Sequence, residues 1–198
     1  MVDNLEDVCN IALKEERFNR LDDLLFKRKV FFGDVEDYYI NEVSDKTIDF
    51  VVYYFNRGVN ISKFEKAIID SGNLYCVYLF AKNIKGANVS KLEDVIINSL
   101  NTWYIYLFAR NVKGANIGKL QAATIESNEA LAMYSFAKNI KGADIRVLED
   151  AIVLTGCTEI IYYFGQNVDG ANKERLESVI NEFNDTKVKV KKLDNFND

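Results

Sequence analysis

At 198 residues, with 48% hydrophobic content and a net charge of −5, the chain has enough apolar material for a folded core, yet no apolar run approaches the roughly 18 residues that cross a membrane. It has no histidine and no proline, which removes the commonest general base and metal ligand and suits an almost wholly helical chain. The opening MVDNLEDVCN is acidic where a secretory signal is basic and then apolar, and Cys9, Cys76 and Cys157 show neither a zinc nor a disulfide spacing. A cytoplasmic location with no metal, no cofactor and no membrane partner is therefore expected.

Residues 1–49 read as an irregular helical N-terminal cap made of decayed repeat units. Leu5-Glu6-Asp7-Val8 echoes Leu92-Glu93-Asp94-Val95, while Phe18, Leu21, Leu24 and Leu25 mark a following helix. Asp34 and Tyr38 sit four apart, like Asn60 and Phe64 or Asn88 and Leu92. Residues 1–50 hold 13 acidic and 7 basic side chains, a net −6 that suits a solvated end.

Residues 50–184 form a tandem array. After a first turn read as shortened, YYFNRGVN, the stretch YLFAKNIKGAN at Tyr78 returns as YLFARNVKGAN at Tyr106, YSFAKNIKGAD at Tyr134 and YYFGQNVDGAN at Tyr162, each 28 residues on. A fixed period of this length is the signature of a solenoid. The prediction is an all-α chain, an α-solenoid of short antiparallel helix pairs with about 12–13 helices.

Each unit begins with a helix, over about Leu74–Ile84 in the first full copy, in which Val77, Phe80, Ala81 and Ile84 share one face at ~100° per residue. Gly86, Gly114, Gly142 and Gly170 are placed to end that helix in a left-handed conformation, and Asn88, Asn116, Asp144 and Asn172 to cap the next. The second helix, over about Val89–Ile97, buries Leu92, Val95 and Ile96, and its equivalents Leu120, Ala123, Thr124 and Leu148, Ala151, Ile152. Ser71, Ser99, Ser127 and Thr155 recur in the return turn, where a hydroxyl can cap. Residues 185–198 break the pattern and read as a charged tail without further structure.

Recurrence between copies separates scaffold from variable surface. Phe80, Phe108, Phe136 and Phe164 read as a hydrophobic spine, with Phe164 contributing less because it lies near the end. Asn83, Asn111, Asn139 and Asn167 are placed to lace one turn to the next, and Tyr78, Tyr106, Tyr134 and Tyr162 to pack where neighbouring first helices meet. Carboxylate pairs such as Glu93-Asp94 and Glu149-Asp150 read as a solvated face.

The outward face of the first helix is different. Its three positions hold Tyr75, Leu79 and Lys82, then Trp103, Leu107 and Arg110, then Leu131, Ser135 and Lys138, then Glu159, Tyr163 and Gln166. Aromatic residues and arginine are enriched at interface hot spots. The outward face of the second helix (Lys91, Asp94, Asn98; Lys119, Ala122, Glu126) has no aromatic residue. Charge is segregated too: Tyr78 to Gly142 holds eight basic and four acidic residues, a net +4 in a −5 chain. Lys82 and Lys85, Arg110 and Lys113, Lys138 and Lys141 form a ladder of cations that either offsets helix dipoles or offers a strip to phosphates or an acidic protein.

The units resemble the tandem AKN(I/V)KGA(N/D)xxKLEDAI helical repeats of low-GC bacteria and their phages, over residues 50–184. The resemblance implies an α-solenoid akin to HEAT and ankyrin arrays, which bind other macromolecules, and it brings no catalytic residues. No enzyme signature, glycine-rich phosphate loop or small-molecule site is read from the residues. The expected function is a non-catalytic scaffold binding a protein partner through Tyr75, Leu79, Lys82, Trp103, Leu107, Arg110 and Lys138. Nucleic-acid backbone binding through Lys85, Lys113 and Lys141 is the alternative. The phage side of the resemblance adds an inhibitor docking on a host defence nuclease of the CRISPR type.

Overall fold

A computed structural model describes residues 32–41, 43–55 and 58–194, which contain eleven helices and no strand. The chain divides into two compact units, Met1–Val95 and Ile96–Asp198.

In the first unit lie α1 (Phe32–Asn41), α2 (Asp45–Tyr54), α3 (Ile61–Ser71), α4 (Leu74–Asn83) and the start of α5 (Val89–Asn98). Helix α2 packs on α4 and α1 on α3, while α1–α2 and α3–α4 pack as pairs, so first helices and second helices form separate layers. The second unit holds the end of α5, then α6 (Thr102–Asn111), α7 (Ile117–Glu126), α8 (Ala130–Asn139), α9 (Ile145–Leu154), α10 (Thr158–Asn167) and α11 (Lys173–Asp194). There α6, α8 and α10 stack in sequence, and α7 and α9 stack behind them. This is the helix packing of a helical-repeat solenoid. Helices of 10 or 11 residues are too short to persist alone in water, so the layers supply their stability.

The phenylalanine spine is where the period places it: Phe80, Phe108, Phe136 and Phe164 are all fully buried. Phe164 is as fully buried as the others, because α11 packs over α10. Gly165 stands where other copies have alanine, and a Cβ there would lie 3.3 Å from Leu176 Cδ1, so the glycine lets the last helix approach closely. The expectation of an unstructured tail from residue 185 is corrected: α11 continues to Asp194, since nothing after Phe183 breaks a helix.

Three local expectations change register. Val35 and Tyr39 are the buried positions of α1, matching Phe64 and Ile68 of α3, so Tyr38 is not the equivalent of Phe64. Phe50, Val51 and Tyr54 are buried as Phe80, Ala81 and Ile84 are, which makes the first turn longer than the later ones instead of shorter. The repeating glycine sits beyond the helix cap. Ile84 is the extended C-cap of α4, and the Ala87 N–H closes a turn onto the Ile84 carbonyl at 3.3 Å. Gly86, at φ 89°, is the third residue of that turn, where a type II geometry needs a positive φ.

Two columns have a chemistry other than the expected one. The hydroxyls of Ser71, Ser99, Ser127 and Thr155 donate to the carbonyl three residues back, at 2.7 Å each. Each also accepts from the N–H two residues on, closing the second helix and not capping the next. The asparagine amides do not lace turns together: Asn111, Asn139 and Asn167 donate to Leu107, Ser135 and Tyr163 of their own helices at 2.9–3.0 Å.

The lacing is done by the column read as solvated. Glu36, Glu65, Gln121 and Glu149 point inward, 3–8% exposed. Each accepts the backbone N–H of the residue that caps the next second helix: Asn60 at 2.8 Å, Asn88 at 2.6 Å, Asp144 at 2.7 Å and Asn172 at 2.7 Å. That same cap residue accepts, through its side chain, the N–H three residues on: Lys63, Lys91, Val147 or Arg175. Glu93, at 2% exposure, belongs to the same buried column.

Two substitutions test this account in urea or thermal melts. Glu65→Gln keeps the acceptor, as Gln121 does naturally, and is expected to change stability little. Glu65→Leu strands a buried N–H and is expected to cost about 1–3 kcal/mol. The turn before α6 offers the second test. Leu100 has φ 51° where Gly72 and Gly156 occupy the equivalent places. Leu100→Gly is expected to gain up to about 1 kcal/mol by removing a left-handed side chain, whereas Leu100→Val lowers the melting point.

Candidate functional site

Two of the three outward positions of the first helices are exposed in every copy, because the spine and the capping bonds consume the inward ones, while the middle position is half-buried in the first three copies. In the first unit Tyr75 is 46% exposed, Leu79 is half-buried and Lys82 is exposed. In the second unit Trp103 of α6 is 63% exposed and Leu131, its counterpart on α8, 62%; Leu107 is half-buried. Apolar groups of that size left in water are the unusual feature of this surface.

The structure brings Trp103 and Leu131 together. They line a groove of about 300 Å³ between α6 and α8, completed by Thr102, Tyr106, Glu129, Ala132, Ser135 and Asn139. Trp103 and Tyr106 stack with ring centroids 6.2 Å apart. At the N-terminal end of the two helices the Thr102 hydroxyl donates to the Glu129 carboxylate at 3.0 Å, tying α6 to the start of α8. Farther along the same two helices, cations are held by tyrosines. Arg110 Nη1 donates to the Tyr106 hydroxyl at 2.9 Å and lies 5.8 Å from that ring's centroid. Lys138 Nζ donates to the Tyr134 hydroxyl at 3.1 Å, 5.4 Å from the ring. In the first unit Lys82 lies 5.6 Å from the Tyr78 ring in the same way.

The cation ladder therefore has two kinds of rung. Lys82, Arg110 and Lys138 are held over a tyrosine one helical turn back, a cation–π arrangement. Lys85, Lys113 and Lys141 lie in the turn beyond the helix C-cap, exposed to solvent. None of the six is in an ion pair among the described residues, where the ion pairs include Lys63 with Asp37, Lys66 with Asp70, Lys173 with Glu177, and Arg175 with both Glu149 and Asp150. The two Arg175 bonds, to Glu149 first and Asp150 second, raise its pKa above the ordinary value. Tyr162, in the copy with Gln166 in place of a cation, is 51% exposed and meets Tyr163 edge-on at 5.9 Å.

The residues nominated from the sequence thus divide. Trp103 lines the groove, Arg110 is bonded to its lining residue Tyr106, and Leu107 and Lys138 are not among the residues that line it. Tyr75, Leu79, Lys82 and Lys85 belong to the first unit, where a separate hollow of about 320 Å³ is lined by Val52, Phe55, Asn83, Ile84 and Lys85. The reading missed Leu131, Ala132, Ser135 and Glu129 as lining, although the 28-residue equivalence to Trp103 pointed to Leu131. The outward face of the second helices is less uniformly polar than its first two copies suggest, since Val147 is 46% and Leu154 86% exposed.

Among the described residues no group of three or more His, Cys, Asp or Glu is arranged to hold a metal ion, and no helix is long and apolar enough to cross a membrane. Burial, with a smaller contribution from Asp45, pushes the Cys76 thiol above its ordinary pKa, whereas Cys157 is half-buried. Iodoacetamide at neutral pH is accordingly expected to alkylate Cys157 in the native protein and Cys76 only after unfolding, read by peptide mass mapping. No protein-family model matches the chain, and neither a curated protein nor a solved structure matches it.

Proposed function

We propose that the protein is a non-catalytic binding scaffold that engages a protein partner through the outward face of its first helices, centred on Trp103 and Leu131. The observation that carries this reading is the pair of large apolar side chains, each more than three-fifths exposed, lining one groove, with Arg110 held on its lining residue Tyr106. Neither side chain is buried in the core, which leaves both available to a partner. An aromatic anchor in a concave site with an arginine beside it is the composition of an interface hot spot.

Nucleic-acid binding through Lys85, Lys113 and Lys141 is the second reading, favoured by their exposure and by none of the three standing in an ion pair among the described residues. Salt separates the two. Phosphate contacts make log affinity fall with log salt by about one unit of slope per contact, whereas an apolar anchor responds little.

The test is affinity capture from cells with the wild type, Trp103→Ala and Leu131→Ala. Both side chains are exposed, so each variant is expected to melt within about 0.5 kcal/mol of the wild type. Each is expected to weaken capture by roughly 30-fold, the equivalent of a 2 kcal/mol hot spot. Full capture by both variants would show that the face is misassigned.

A further inference from the structure

Among the described residues that line the groove between α6 and α8, Glu129 is the one charged side chain. It does not serve the helix it begins. At the equivalent places Asn73 and Asn101 cap α4 and α6, accepting the N–H of Cys76 and Tyr104 at 3.2 Å. Glu129 makes no side-chain cap bond to α8. Its Oε2 instead accepts the Thr102 hydroxyl of α6 at 3.0 Å, and its Oε1 has no partner among the described residues. A second carboxylate continues the column. Trp103 on α6, Leu131 on α8 and Glu159 on α10 hold the same place in successive copies of one stack, and all three are exposed. The dipole of α10 favours an acid at its start, yet α4, α6 and α8 have none in their first turns. Neither Glu129 nor Glu159 is in an ion pair among the described residues.

We infer that this groove receives a basic segment of a partner protein, with an apolar side chain seated between Trp103 and Leu131 and a neighbouring arginine lying on the Trp103 ring and pairing with Glu129. This rests on the reading of the face as a protein-binding site and deepens it by naming the partner's chemistry. Charge complementarity selects the base: an acidic segment, or a nucleic-acid backbone, would bring its own negative charge against Glu129 and Glu159. The rings select arginine. Trp103 and Tyr106 stack on each other at 6.2 Å, and Trp103 is still 63% exposed. A planar guanidinium stacks on such a ring and offers two parallel N–H groups to a carboxylate. Arg110 and Lys138, held by Tyr106 and Tyr134 farther along the same helices, repel a second cation and so orient it towards Glu129. An exposed ion pair and an exposed cation–π contact are each worth about threefold in affinity. The apolar side chain therefore supplies most of the binding, and the arginine supplies the selectivity.

The experiment titrates the full chain with short synthetic peptides that carry a leucine and, near it, arginine, citrulline or glutamate. Trp103, the single tryptophan, reports binding by its fluorescence. Expected is a Kd of about 1 mM or tighter for the arginine peptide, about tenfold weaker for its neutral isostere citrulline, and weaker again for glutamate. Glu129→Gln keeps an acceptor for Thr102 while removing the charge, and is expected to cut the preference for arginine over citrulline about threefold. Glu129→Lys/Glu159→Lys is expected to reverse the order, so that the glutamate peptide binds best. A purely structural role for the two carboxylates would leave the order unchanged. Equal binding of the three peptides, no peptide binding, or an unchanged order in both variants would each overturn the inference. So would displacement of the arginine peptide by an oligouridylate RNA, or a dimer of the chain that Trp103→Ala dissolves. These failures are distinct from failure of the protein-binding reading itself. If Trp103→Ala abolishes capture of the cellular partner while the three peptides bind alike, the face stands and the basic motif falls; if Trp103→Ala leaves capture intact, both fall.

Discussion

Everything in this fold depends on one buried hydrogen bond repeated along the chain. The acid or amide oxygen of Glu36, Glu65, Gln121 and Glu149 accepts the N–H of the residue that caps the next second helix. That N–H lies in a turn squeezed between layers, where a donor without a partner costs on the order of 1–3 kcal/mol. With the N–H held, the side chain of the same residue is oriented to cap the helix it precedes. Helices too short to survive alone thus start at a defined place relative to their neighbours. Gln121 shows that the oxygen matters and the charge does not. At Glu149 the second carboxylate oxygen takes Arg175, which also reaches Asp150, so α11 is anchored twice.

This division of labour explains why a binding face is available at all. The spine, the caps and the glycine turn use the inward and terminal positions of each unit, and those are the positions that repeat. The outward positions of the first helices carry no structural duty, so they differ from copy to copy: Tyr75, Trp103, Leu131 and Glu159 occupy one place. The tyrosine–cation pairs sit between these classes. Their four-residue spacing is local to a helix, yet they set charges in defined positions beside the apolar side chains. In the last copy the cation is replaced by Gln166 and the tyrosine turns to its neighbour Tyr163.

Much of this was legible from the residues alone. A 28-residue period, a phenylalanine in phase with it and a cap residue two places after a glycine are local signals, and local signals survive in a linear string. The outward face of the first helices was legible for the same reason, since helical geometry assigns each residue a direction before any packing is known. Burial of a carboxylate is not such a signal. Glu149 stands in an acidic pair that read as a solvated face, and only the arrival of a turn 23 residues later places an N–H against it. The same limit hid the groove. Trp103 and Leu131 become one site only when α6 and α8 stack. Periodicity and propensity determined the helices, their ends and their exposed faces; tertiary packing alone decided which polar groups are buried and which exposed groups converge, because both depend on distances between residues that the chain itself holds apart.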